Sequence, residues 1–231
     1  DTVVAGTSQM RTWGNNFSFD IQEEEFAGSK NRIIDHIKNR EQNCMIGMTK
    51  FAENLFWTAP TVTQELPHGL LYHLPYCATT GFVGTYPSGY STYQGLDIST
   101  YTGQKSYGGV YVEVTQDDLI SSMRTASIET EFEAPLDAML IGDLKGGSDD
   151  IGYYMAYTVL KSFEDQLRLQ NDSLGSDVAW ADGKAMFKGN PLTYVPALRT
   201  NTRYPIFGLN WAHMKHYVQS GWWMKRVMRN A

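Results

Sequence analysis

Between Ser29 and Trp57, apolar side chains recur as Ile33, Ile37, Cys44, Met48, Phe51 and Leu55. Their spacing keeps all six on one side of a helix with 3.6 residues per turn. Ser29 can cap the start, and Pro60 stops the run. The pattern predicts a helix of about 27 residues, roughly 40 Å long, well beyond the usual length. A helix this long with a single apolar stripe must lie across a sheet or another helix. Arg40 and Glu41 fill the place where one apolar residue is missing.

The stretch from Met186 to Arg226 (MFKGNPLTYVPALRTNTRYPIFGLNWAHMKHYVQSGWWMKR) carries a second strong pattern. Lys188-Gly189-Asn190-Pro191 is a turn signal between two apolar-rich runs. Pro205 to Asn210 and Met214 to Val218 read as two further strands. Ahead of the helix, Phe17 to Ile21 alternates as a strand does, and Gln22 to Gly28 is an acidic turn. Residues 58–109 hold Pro60, Pro67, Pro75 and Pro87 with seven tyrosines, and show no clear period. A segment this long without periodicity is usually functional. Within it, Leu70 to Leu74 reads as a short strand.

Val110 to Val114 reads as a strand, and Thr115-Gln116-Asp117-Asp118 as a capping box. A helix bearing Leu119, Ile120 and Met123 follows. Ala138 to Gly142 looks like a buried strand, and Gly146-Gly147-Ser148 like a turn. A third helix is expected to bear Ile151, Met155, Leu160, Phe163 and Leu167. Asp149 and Asp150 would suit its N-terminal end and Arg168 its C-terminal end. The order of elements is α+β, with no internal repeat.

Composition narrows the classes. Hydrophobic residues make up 42% and charged residues 19% of 231 positions, so polar uncharged residues, Gly and Tyr fill the difference. Six Trp, 14 Tyr and ten Phe argue against disorder. The net charge of −6 argues against charge-driven nucleic-acid binding, although a protein that merely encloses DNA needs no basic face. Lys215, Lys225, Arg226 and Arg229 read as a solvated strand end. Cys44 and Cys77 make no CxxC motif and no disulfide framework; Cys44 is expected to be a buried free thiol. No apolar run is long enough for a membrane helix, and no signal peptide is visible. The first residue, Asp1, suggests trimming.

Catalytic constellations were sought along the whole chain. Gly142 to Ser148 lies between a strand and a helix but fails the phosphate-loop pattern, with Ser148 in the Lys position. Asp149 and Asp150 would repel a phosphate there. His213 and His216 lack further ligands nearby, and His36, His68 and His73 are scattered. There is no G-x-S-x-G elbow and no Cys-His signature. The tyrosine-rich segment 86–107 could line a sugar groove beside a carboxylate pair. The same composition suits a subunit interface, which is the reading we favour. Trp222-Trp223 before Lys225-Arg226 reads as packing plus a solvated tail rather than a membrane anchor. No catalytic, cofactor-binding or metal-binding residue is assigned.

These motifs, in order, resemble the major capsid proteins of tailed bacteriophages, the family with the Hong Kong 97-type fold. Residues 1–21 look like the extended N-terminal arm and the base of the loop that reaches over a neighbouring subunit. The helix over 29–57 looks like the spine helix, and Glu65 to Tyr72 is similar to the strand after it. Pro135 to Ile141 looks like the strand of the axial domain, and 184–196 like its hairpin. Pro205 to Arg226 looks like the final peripheral-domain strands. The resemblance implies an arm and extended-loop region over 1–28, a peripheral domain over 29–109, a mainly axial domain over 110–204, and return strands over 205–231. It implies a non-enzymatic, self-assembling icosahedral shell around double-stranded DNA, found in the virion and assembled in the host cytoplasm. Partners would be identical subunits in pentamers and hexamers, with portal, scaffold or decoration proteins as further candidates and no membrane. An encapsulin-like nanocompartment shares that fold. A Gly/Ser/Thr-rich arm pays ordering entropy when it docks, so it is expected to be disordered in a free monomer.

Overall fold

The computed structural model describes residues 5–8, 10–16, 18, 30–58, 62–74, 77–86, 89–130, 132, 151–169, 178–181, 184–211 and 214–221. The chain divides into two compact units, Asp1–Tyr111 and Val112–Ala231. Helices and a mixed sheet make the fold α+β.

The first unit is built on α1, Lys30–Phe56, whose 27 residues follow the apolar stripe closely. The cover expected for that stripe is only partial among the described residues. From residue 32 to residue 56 no side chain is buried, and Ile33, Ile37, Cys44, Met48 and Leu55 are only half-covered. Cys44, expected buried, is therefore half-exposed. The companion of α1 is the N-terminal segment. Trp13 meets Phe51 edge to face at 5.5 Å between ring centres, Asn15 lies beside Gly47, and Arg40 Nη1 donates to Ser18 O at 2.8 Å. As the arm advances from 13 to 18, its partners retreat from 51 to 40, so it runs antiparallel to α1. It is tethered further back by Arg11 Nη1, which donates to Gln64 O (2.8 Å) and Leu66 O (3.1 Å). Thr7 N–H also donates to Gln94 O (2.9 Å). The arm thus holds contacts in its own chain, where a free, disordered segment was expected.

After α1 the chain doubles back tightly. Gly69 packs so close to the helix end that a Cβ there would collide with the carbonyl oxygens of Leu55 and Thr58. Leu70 to His73 then forms one helical turn, α2, closed by Leu74 N–H on Leu70 O at 2.8 Å. The strand expected there is corrected. Buried Leu70 and Tyr72 stand two apart, the spacing of a strand, yet the backbone closes as a helical turn. A two-residue ladder, β1 (Gly81–Phe82) on β2 (Tyr107–Gly108), pins the tyrosine-rich segment. Among the described residues the core of this unit is small: Trp57, Leu70, Tyr72 and Ile98.

The second unit holds a five-stranded sheet. β3 is Ile151–Met155, β4 Val178–Ala181, β5 Lys184–Phe187, β6 Asn190–Tyr194 and β7 Ile206–Asn210. Their order is β4-β5-β6-β3-β7, with β3 parallel to β6 and every other pair antiparallel. A parallel pair needs a crossover, which includes α4, Tyr157–Leu169. The β5–β6 hairpin closes through Lys188 and Gly189, both at positive φ (51° and 79°). That is the primed turn whose twist suits a hairpin, as the Lys-Gly-Asn-Pro signal predicted. On one face Ile151, Tyr153, Met155, Phe187 and Leu192 are buried, with Tyr153 edge-on to Phe187 at 5.1 Å. Val159 and Phe163 of α4 are buried as well, Phe163 completely. The 205–231 segment, expected to return to the earlier domain, has its described strand in this sheet, β7 beside β3.

Four further expectations change. Ile151 and Met155 lie on β3, not on the third helix, which begins six residues later than expected. A spacing of four puts residues on one face of a helix and of a strand alike. Val110 to Val114 is irregular, with Val112 87% exposed. The Asp118 carboxylate accepts the amides of Val112 (2.7 Å) and Glu113 (2.8 Å), donors a ladder would need. The same bonds take Asp118 away from the expected capping box, and Thr115 makes no side-chain cap. Helix α3, Ser121–Glu129, still forms after a π-helical turn over Gln116–Ile120, with Leu119, Ile120 and Met123 buried. Met214 to Val218 is irregular, with Tyr217 75% exposed. The readings placed on 19–29, 133–150 and 222–231 lie outside the described residues, as do Phe17 and His213.

Gly69→Ala should destabilise the first unit by about 1–3 kcal/mol, because a methyl is forced onto backbone that cannot move aside. Gly103→Ala, where a Cβ meets nothing within 4 Å, should be near neutral. Thermal melts followed by hydrogen exchange of residues 62–74 check both.

Candidate functional site

Two surfaces of the first unit are built from residues with a chemical purpose. The first is the flank of α1. Arg40, Gly47 and Phe51 fall on one line of the helix and carry the arm. Large apolar side chains elsewhere on α1 stay open: Ile34 is 42% exposed, Met45 44% and Ile46 54%. Single exposed apolar residues are ordinary; on this helix none of residues 32–56 is buried. Trp13, Arg11 and Arg40, which tie the arm to the unit, were not singled out as arm anchors by sequence reasoning. The available signal was one Trp and one Arg in an arm otherwise rich in Gly, Ser, Thr and Asn.

The second is an aromatic cluster that α2 and the tyrosine-rich segment assemble. Tyr72 is its hub. His68 stacks on it at 3.9 Å, Tyr90 meets it edge-on at 5.0 Å, and Tyr93 leans on it at 5.5 Å. A hydrogen bond of 2.8 Å joins His73 Nδ1 and the Tyr93 hydroxyl, and Gln94 N–H donates to the Tyr72 hydroxyl at 3.2 Å. Burial, then the neighbouring Tyr72, pushes the Tyr93 phenol up to about 12. Burial lowers both imidazoles, and the Arg11 guanidinium and His73 lower His68 further. Farther along, Tyr86 donates to Asp97 Oδ1 at 2.6 Å and accepts from Ile98 N–H at 2.9 Å. That bond raises the phenol and lowers the carboxyl. Cys77 donates to Val83 O, and burial pushes its thiol up, the direction opposite to a reactive thiolate.

Tyr72 is buried at the centre of this arrangement, His68, His73, Tyr90 and Tyr93 around it are half-buried, and Asp97 is exposed. The arrangement brings His68 and His73 together, which the sequence showed as scattered, while His36 lies apart on α1. Among the described residues no group of three or more His, Cys, Asp or Glu could hold a metal ion. Among the same residues no helix is long and apolar enough to cross a membrane. The Gly142–Ser148 loop, Lys225, Arg226, Arg229 and Trp222-Trp223 lie outside the described residues; Lys215 is exposed. No family model, curated protein or solved structure matches the chain.

The histidines give the first unit a pH dependence. Both are held neutral in the folded chain, below their ordinary value of 6.5. On acidification the unfolded chain therefore binds protons first, and stability falls as pH drops below that value. Melts between about pH 7.5 and about pH 5 should show the first unit losing stability, with a flatter response for His73→Phe. A melting temperature that rises on acidification would contradict the geometry.

Proposed function

We propose that the chain is a structural subunit that assembles with copies of itself into a closed shell. In its full form the reading is a major capsid protein of the Hong Kong 97-like type, in pentamers and hexamers around double-stranded DNA. The observation that carries it is α1. A 27-residue helix with an apolar stripe has no buried residue from 32 to 56, so its natural complement is another protein surface. The order of parts adds support: an arm, a long helix, a tyrosine-rich segment, then an α+β unit with a hairpin. Shells close by symmetry from repeated contacts. Arms and long helices laid on neighbours supply the area that obligate assemblies need, roughly 2,000 Å² or more. Many modest contacts then make the shell persistent. The net charge of −6 is compatible with enclosing DNA without gripping it.

The sugar-binding alternative over 86–107 finds less support. Tyr86 and Tyr93 spend their hydroxyls on Asp97 and His73, and a sugar groove needs such groups open. The encapsulin-like reading shares every physical argument given for a shell and differs only in what is packed inside.

Size-exclusion chromatography with negative-stain microscopy tests the proposal. Megadalton icosahedral particles are expected, with nuclease-protected DNA for the capsid form and protein cargo for the encapsulin form. A monomer that stays monomeric at high concentration would sink it. Deleting residues 1–16 should lower the melting temperature of particles while the second unit keeps its own; unchanged particle melting would count against a role for the arm.

A further inference from the structure

The open side of α1 has its own pattern. Ile34, Lys38, Glu41, Met45, Met48 and Ala52 follow one another at steps of four and three. Alternating steps of four and three trace the seam position of a coiled coil along one side of a helix. Ile34 and Met45 on this row are exposed, as is Lys38, while Glu41 is half-buried and also interacts within its own chain. The arm contacts Arg40, Gly47 and Phe51 on a different line, and Ile34, Lys38 and Met45 of the row stay exposed while Met48 and Ala52 are half-buried.

The row is self-complementary. Turned end for end against itself with residue 34 opposite residue 45, it brings residue 38 opposite residue 41. One apolar residue then meets another at each end, Ile34 against Met45, and a cation meets an anion twice at the centre. A parallel, in-register pairing would instead set Lys38 against Lys38 and Glu41 against Glu41. We propose that this row is a self-docking seam: α1 of one copy packs antiparallel on α1 of a second about a two-fold axis. In it Ile34 covers Met45 of the partner subunit and Lys38 faces Glu41 of the partner subunit. The inference rests on the reading of the chain as self-associating, and it names one contact and its symmetry.

The physical division of labour is clear. Contacts about a two-fold use the same patch twice. Helices in such a seam lie roughly 8–10 Å apart, and an overlap from residue 31 to residue 48 spans roughly 27 Å. The apolar pairs supply the attraction, since taking charges out of water offsets most of what an ion pair in the seam gains. The charges at the centre fix register and direction, because the wrong alignment places like charges together.

The test uses the full chain and two charge reversals, Lys38→Glu and Glu41→Lys, each checked for native circular dichroism. Either variant alone sets like charges across the axis and should weaken self-association about tenfold or more. Mixed in equal amounts, the two variants should associate as tightly as the unaltered chain, because every pair across the axis is again opposite in sign. A Lys38–Glu41 contact within one helix cannot be restored by mixing, so recovery reports the contact between copies. Sedimentation velocity or native mass spectrometry reads the result. Association unaffected by either reversal, or not recovered on mixing, overturns the seam. Shells that form regardless of both reversals leave the shell reading standing and remove the seam. Discrete pairs that obey the mixing rule but never close into particles establish the seam and remove the shell. An unaltered chain that stays monomeric overturns both.

Discussion

The balance between apolar surface and the cover available for it governs this molecule. The second unit satisfies it internally: a five-stranded sheet, α3 and α4 bury most of the core, down to fully enclosed Phe163 and Phe187. The first unit does not. It commits 27 residues to α1 and buries no side chain from residue 32 to residue 56, while its own described core amounts to Trp57, Leu70, Tyr72 and Ile98. Hydrophobic stabilisation scales with area removed from water, so a surface that covered that helix would stabilise it. The arm along one flank is a first instalment of such cover.

The aromatic cluster has a different part in the same economy. With little aliphatic core to draw on, the tyrosine-rich segment is organised around Tyr72 by ring contacts and inward hydrogen bonds from Tyr93, His73 and Gln94. Such contacts are directional and modest in energy. They suit a unit that must hold a shape well enough to present α1 and the arm. Burial lowers His68 and His73 there, so protonating either one works against the packing.

What could be read from the sequence follows from how local each constraint is. Helix α1 was legible because its period persists over seven turns, and the β5–β6 turn because two consecutive positive φ angles demand residues such as Gly189. Ile151 and Met155 were misplaced because a step of four does not distinguish strand from helix. Val110 to Val114 has strand-forming side chains but no ladder partner, and Asp118 captures two of its amides. No local pattern encodes that competition. The half-covered state of α1 was invisible too, since periodicity reveals which face is apolar and never what lies against it. The pairing of His68 and His73 around Tyr72 likewise arises only once α2 has formed.

Hydrogen exchange of residues 30–56, measured on the monomeric chain and again on the associated protein, tests the central claim most directly. The account predicts fast exchange along α1 in the monomer and strong protection after association, with β5 and β6 protected in both. Equal protection of α1 in the lone chain would contradict it.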